Sequence, residues 1–557
     1  MRHGQGFDLV LQDWLHLAVQ PDTIRSEPVP GFERYEPRFA YGPGDTLDAP
    51  GSGSTPADLL ATLARLATQM HLGALRVMPD STLPAGYTYL GQFAVHDLVN
   101  SAGFRTTRDR NLPRRLFGNI QSPALDLASL YGGGPGGSPA FYEPTEETEH
   151  RARFRLGWMR DATGKPTRQE DIPRIPLGPA TGDAEGDPRF DPLLADTRNA
   201  DNLILSQLVV LFMKAHNRLH DLAHARAVAG AAHHRLFARP FEVARCILTS
   251  AYRRLLRHDF LPRLVPAAAL DRAFAPGARP HPTIPVEAAM AVLRFGHAQV
   301  QPRYDFNAVH AETGAAGPAG IERLMDFFGM RASRDLPVDD TWVIDWALFF
   351  DRPGQPPHPQ MNFARALGPT LADPLRSHAG TRFVPPPELP GLAAYRLGLA
   401  FRTMAKGLIA RLPTAQAVTR EMQAAGWITA TEVMDQGALA DALRRGRTFA
   451  CTAGQCPTPA DIDLLSRRTP LFWYVLAEAA HFGQGARLGP VGGALLAETF
   501  AMALADPGFG GEPSLDAAAD TLWRELFPAG PGLPATMPDL ISFVAAGSDQ
   551  TPTPPRP

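Results

Sequence analysis

Residues 201–225, DNLILSQLVVLFMKAHNRLHDLAHA, read as one long apolar helix, and no other feature limits the fold as much. Such a helix needs covering on most sides, so the chain must supply further helices around it. A second run, RPFEVARCILTSAYRRLLRHDFLPR, spans 239–263. A third, PVEAAMAVLRFGHAQVQP, is bounded by Pro285 at an N1-like position and by Pro302 beyond its end. After Pro56, residues Leu59, Leu60, Leu63, Leu66 and Met70 share one helical face, and more helices are expected at 390–411, 415–424 and 468–505. Strand-like alternation is scarce, and there is no internal repeat. The expected class is mainly α: a single large helical domain with long irregular loops and little β.

Three segments follow from composition along the chain. Residues 1–57 are rich in Pro, Gly and acidic residues and read as an arm; 58–510 hold the helical domain. Residues 511–557 form a C-terminal extension whose tail, AAGSDQTPTPPRP, reads as disordered. The segments GGGPGGSPA at 132–140 and TGDAEGDPRFDP at 181–192 read as loops.

The 557 residues are 44% hydrophobic and carry a formal net charge of −3, which allows a large core and argues against nucleic acid as a partner. No stretch reaches the roughly 18 apolar residues of a membrane span. The first 19 residues lack the uninterrupted apolar run of a secretory signal. Cys246, Cys451 and Cys456 are too few for a disulfide framework. A local bridge between Cys451 and Cys456 fits their spacing, but two free thiols in a reducing compartment are the expectation. The chain therefore reads as cytoplasmic.

Candidate chemistry begins with GQFAVHDLVN at 91–100, where His96 and Asp97 interrupt an apolar run. Alone, the pair reads as a core histidine bonded to a backbone carbonyl. His297, in LRFGHAQV, sits on an apolar helix face beside Gly296, where the missing side chain lets something flat approach. Two histidines in apolar settings suit the two faces of a haem, one ligating its iron. Arg198, in ADTRNADN, precedes the long helix; alone it marks a helix start capped by Asp196 or Asn199. In SPALDLASLYGGG, Asp126 and Ser122 with adjacent carbonyls are candidate oxygen ligands for a hard cation, although a surface Asx-turn is the plainer reading.

In order, GQFAVHD, LDLASLYG, TRNADNLILSQLVVLFMKAHNRLHD and LRFGHAQVQP resemble the animal-type haem peroxidase family of the peroxidase–cyclooxygenase superfamily. TPLFWYVLAEA and RLGPVGGALLAETF resemble its bacterial members, and the likeness runs over roughly 60–510. The resemblance implies a haem b enzyme that reduces H2O2 and oxidises a small organic donor or a halide. His96 falls on the distal histidine, with Gln92 beside it. Arg198 falls on the distal arginine because it stands 18 residues before His216 of HNR, whereas Arg189 of GDPR stands 27 before it. His297 falls on the iron ligand, and Arg294 and Thr403 on haem-contacting positions. Asp97, Ser122, Ala124 and Asp126 fall on calcium ligands. In such an enzyme neutral His96 would move a proton between the peroxide oxygens. Arg198 would stabilise the charge that develops there.

Departures from the family narrow these implications. Val95 stands where relatives esterify haem, and Asp201 replaces a glutamate at the second attachment position, so haem is expected to be mostly non-covalent. Asn202 replaces a methionine that bonds haem in one relative. Thr403 replaces an asparagine that bonds the proximal histidine, and Ala128 removes a calcium-loop oxygen, with Ser129 the nearest substitute. A fatty-acid dioxygenase of the same superfamily is the alternative. Its tyrosine, three residues before the proximal histidine in cyclooxygenases, is Arg294 here, leaving Tyr252 or Tyr304 to serve. A low-turnover haem-binding protein is a further alternative.

Overall fold

The computed structural model describes residues 33–49, 54–71, 80–103, 117–119, 121, 123–144, 152–177, 189–229, 237–327, 336, 338–377, 390–395, 397–447, 454–505 and 515–547. The fold is mainly α, as expected, and its described strands are short and antiparallel. One three-stranded sheet joins Glu33–Arg34, Phe117–Asn119 and Ser101–Gly103, with Phe117–Asn119 central.

The long helix is Leu203–Val228, and every residue from Leu203 to Met213 is buried. Asn202 starts it, its side-chain oxygen accepting the Leu205 N–H at 2.9 Å. Pro240–Leu255 packs along it. That second helix does not run on regularly to 263. A π-turn at Leu256–Phe260 interrupts it and turns Asp259 inward, where it accepts the Tyr87 hydroxyl, the Met537 N–H and the Arg263 guanidinium. Ala415–Ala424 matches its expected bounds, while 468–505 divides into Leu471–Phe482 and Pro490–Leu504 around Gly483 and Gly485. The 390–411 segment holds a 3-10 turn and the helix Leu399–Ile409.

The described parts of the arm and of the C-terminal extension both pack against the helical domain. In the arm, the Arg38 N–H donates to both oxygens of buried Glu287 at 3.0 and 3.1 Å, and Tyr41 donates to the same carboxylate at 2.6 Å. The guanidinium of Arg38 pairs with Glu498 and lies over Trp427. In the C-terminal extension, Leu515–Leu526 and Met537–Ala545 are helices, held by Arg254 on Asp520 and by Arg218 over Phe543. The Pro-rich tail beyond 547 lies outside the described residues.

Cys246 is free and Cys456 is disulfide-bonded. Free thiols at that pair are therefore corrected, and the cysteine argument for a reducing compartment falls with them; Cys451 lies outside the described residues. Among the described residues no helix is long and apolar enough to cross a membrane.

Candidate active site

His96 and Asp97 occupy the last turn of the helix Gly86–Leu98, which ends where Val99 turns extended. A helix end leaves carbonyls without internal partners, and cations are favoured there. Asn119 donates to the Leu98 carbonyl at 2.8 Å. Arg198 takes two others: Nη2 reaches the His96 carbonyl at 3.0 Å and Nη1 the Val99 carbonyl at 2.8 Å. Nε donates to both Asp196 oxygens at 3.0 and 3.1 Å, and Nη2 to Oδ2 at 2.5 Å. Arg198 thus meets His96 through its backbone, with most of the guanidinium committed to that anchoring.

Asp196 caps the 3-10 turn Thr197–Ala200 by accepting the Arg198 N–H at 3.0 Å. Asn199, the other candidate cap, turns inward and places Oδ1 3.0 Å from His96 Nδ1. Burial, with Arg198 adding to it, holds the His96 pKa down to about 4, so its ring is neutral at pH 7. Gln92 stands one turn earlier, with Nε2 at 3.5 Å from Asp201 and Oε1 accepting from Asn202 at 3.3 Å. Burial raises the Asp201 carboxyl to about 7.

His297 does not lie deep in an α-helix. The expected helix breaks at Ala291 (φ −127°, ψ −68°) into a short α-helix, Val286–Met290, and a 3-10 segment, Val292–Gln299. In 3-10 geometry residues i and i+3 eclipse, which puts Arg294 and His297 on one side. Both are enclosed by protein yet keep accessible surface, so they face an interior space. A Cβ on Gly296 would meet nothing within 4 Å. The His297 ring stands edge-on to Phe472, and its Nδ1 has no hydrogen-bond partner. Burial, then Arg294, His71 and His96, holds its pKa down to about 3.

His96 and His297, 201 residues apart in sequence, lie close enough for His96 to disfavour a charge on His297, and the elements that carry them pack against each other. Lys406 joins them: burial, Arg294 and Arg198 push its pKa well below the usual range. An anion in this space would relieve that mutual repulsion. Open space beside a glycine, with a buried imidazole and a buried guanidinium whose Nδ1 and Nε have no partner, fits a flat, carboxylated metal macrocycle. The hydrogen bond expected between Thr403 and His297 is absent: Nδ1 has no partner, and the Thr403 hydroxyl is turned to the Leu399 carbonyl one turn back, to which it donates at 2.9 Å. Thr403 instead lines an apolar cavity with Met290, Met404, Leu408 and Phe472.

The calcium loop tells a different story. Asp97 is buried, and its two oxygens accept the Leu127 and Ser129 N–H groups at 2.9 Å each. Asp126 accepts the Ala128 N–H at 3.1 Å, the Asx-turn that its sequence suggested. The Ala124 carbonyl accepts Arg253 Nη1 at 2.7 Å, and Nη2 of the same guanidinium reaches Leu504 at 2.7 Å. Leu125 and Leu127 take left-handed backbones (φ 47° and 61°), each costing about 1 kcal/mol, which these bonds hold in place. Ser122 lies outside the described residues. The Asp97 oxygens and the Ala124 carbonyl are thus met by N–H donors and by a fixed guanidinium, which tie this loop down. Among the described residues no cluster of His, Cys, Asp and Glu is arranged to hold a metal.

Sequence patterns missed Arg253, Asn199's inward turn, His71 and Lys406. Lys406 carried a faint signal as one of three lysines in an arginine-rich chain. Arg253 carried none, since its role depends on a loop distant in sequence.

Residues 138–328 match the family model of the animal haem peroxidase. That stretch includes Arg198 and His297, and it bears out the family resemblance read from the motifs. No protein of curated function matches the chain in sequence. Among solved structures, peroxidase A of Dictyostelium discoideum is 14% identical, with a TM-score of 0.50 over 93% of this chain and 91% of that one. A fatty acid α-dioxygenase of Arabidopsis thaliana is 13% identical, with a TM-score of 0.48 over 97% of this chain and 85% of that one.

Proposed function

We propose that this chain, an oxidoreductase of the animal haem peroxidase family, is a haem-dependent peroxidase that reduces H2O2 and oxidises a small organic donor. One observation carries the proposal: two imidazoles held neutral by burial, His96 and His297, come close enough to interact although they belong to distant parts of the chain, and the elements that bear them pack together. His297 would bind the iron of haem b through Nε2, since its unpartnered Nδ1 is the buried nitrogen, and the space beside Gly296 would admit the ring. Arg294 and Lys406 would hold the haem carboxylates, and Val95 leaves the attachment non-covalent on that side. Bound haem would supply the redox-active iron through which electrons pass from donor to peroxide.

His96 is the proton-handling residue. With a pKa near 4 it is a free base at pH 7, able to take a proton from one peroxide oxygen and return it to the other. Arg198 orients the peptide that carries His96 and adds positive potential, although Asp196 offsets part of that charge. Gln92 lies on the same helix face, one turn from His96, and keeps Asp201 and Asn202 in place.

The test is to add haem to the purified protein and record its spectrum, then to follow guaiacol oxidation with H2O2. A Soret band with peroxide-dependent turnover is expected. No Soret band would remove the proposal altogether. The dioxygenase alternative retains one supporting observation: Tyr252 is buried beside Phe93 and Phe212, with an unpartnered hydroxyl. Oxygen uptake with a fatty acid, without peroxide consumption, would favour it.

A further inference from the structure

We propose that Asn199 is a positioning residue that fixes His96 in the tautomer protonated on Nδ1, leaving Nε2 as the base. This rests on His96 being the proton-handling group, but its structural half stands without it.

The tautomer follows from a chain of forced donors and acceptors. A backbone carbonyl can only accept, so the Ser129 carbonyl, 3.3 Å from Asn199 Nδ2, requires the amide NH2 to face it. The amide oxygen must then face His96 Nδ1, 3.0 Å away. An amide oxygen cannot donate, so Nδ1 must carry the hydrogen. The neutral ring has only one, which leaves Nε2 with a lone pair. Asn199 is 1% exposed, so water does not compete for this bond.

Ser129 is itself fixed. Its N–H donates to Asp97 at 2.9 Å, and Asp97 is the residue after His96. A closed ring results: His96 to Asn199, Asn199 to Ser129, Ser129 to Asp97, and Asp97 back along the chain to His96. The loop that Arg253 ties down at Ala124 is thereby part of what sets the proton on His96. A structural asparagine would need only to fill space here; this one is bonded at both ends of its amide.

Selective ¹⁵N labelling of histidine in haem-free protein reads the tautomer directly. The His96 signals are assigned by their loss in His96→Gln. Wild type should show a protonated Nδ1 and a bare Nε2. Asn199→Ala should show a mixture of tautomers. Asn199→Asp, which keeps the acceptor but loses the donor to Ser129, should restore the Nδ1–H form. With haem added, the bimolecular peroxide step should slow about tenfold in Asn199→Ala, part of the roughly 10²-fold that a base is worth. It should recover in Asn199→Asp, while donor oxidation stays unchanged. A wild-type ring protonated on Nε2, or an Asn199→Ala spectrum like wild type, overturns the inference. Absence of peroxide activity in wild type would instead overturn the proposed function and leave the tautomer result to stand alone.

Discussion

The two histidines of the site are held in opposite ways. His96 ends an α-helix, with its carbonyl bonded by Arg198, its ring by Asn199 and its neighbour Asp97 by two N–H groups. His297 sits on a 3-10 segment next to a glycine, and its Nδ1 touches no partner. Buried polar atoms are nearly always satisfied, so an exception asks for an explanation. The difference separates two tasks. A group that moves a proton needs one tautomer and one direction, whereas a group that receives a metal needs its other nitrogen, Nε2, left available and room beside it.

The largest effect expected from that contrast is at the loosely held side. His297→Ala should abolish the Soret band after haem addition while the far-ultraviolet circular dichroism stays native, since little in the fold depends on its ring. Retention of the wild-type spectrum would assign the iron to another residue. At the tightly held side, His96→Ala should keep haem but slow the peroxide step by about 10²-fold or more. The acid limb of the wild-type rate belongs to the same ring. Below a pKa near 4 His96 is protonated and cannot accept, so the rate should be level from pH 7 to 5 and fall beneath that. If His96→Ala lost haem and His297→Ala lost only rate, the two sides would have to be exchanged.

How legible these sides were in the sequence follows from the same difference. The long helix and the motif histidines could be read because apolar periodicity and family spacing are local signals. The break at Ala291 could not, since PVEAAMAVLRFGHAQV carries an unbroken helical pattern and only tertiary packing chooses the tighter turn. Asn199 was visible as a polar residue at a helix start, but whether it caps or turns inward depends on Ser129, which lies 70 residues earlier. Arg253 sits in a helix where arginine is unremarkable, and its bond to Ala124 bridges 129 residues.

Arg253 allows a smaller test of how the tight side is built. If its guanidinium and the two N–H groups on Asp97 do the work of a calcium ion, EDTA should leave the melting temperature of wild type unchanged, and added calcium should not raise it. Arg253→Met should lower it by about 1–3 °C, as expected for losing a charge-assisted bond to a buried carbonyl in a chain of this length. A clear fall in EDTA would restore the metal to this loop.

The smallest effect tests the loose side from the opposite direction. The Thr403 hydroxyl is turned to the Leu399 carbonyl and does not reach His297, whose Nδ1 hydrogen meets no acceptor. A ligand whose second nitrogen is bonded to an acceptor gains anionic character and stabilises oxidised iron. Thr403→Asn lengthens the side chain by enough to leave the helix groove and offers an amide oxygen in place of the hydroxyl. In the haem-loaded protein it should lower the Fe(III)/Fe(II) midpoint potential and sharpen the spectrum towards a single ligand geometry, with haem content unchanged. A potential equal to wild type would mean that residue 403 cannot reach His297, and that the freedom of the ring is set by the 3-10 backbone rather than by the missing amide.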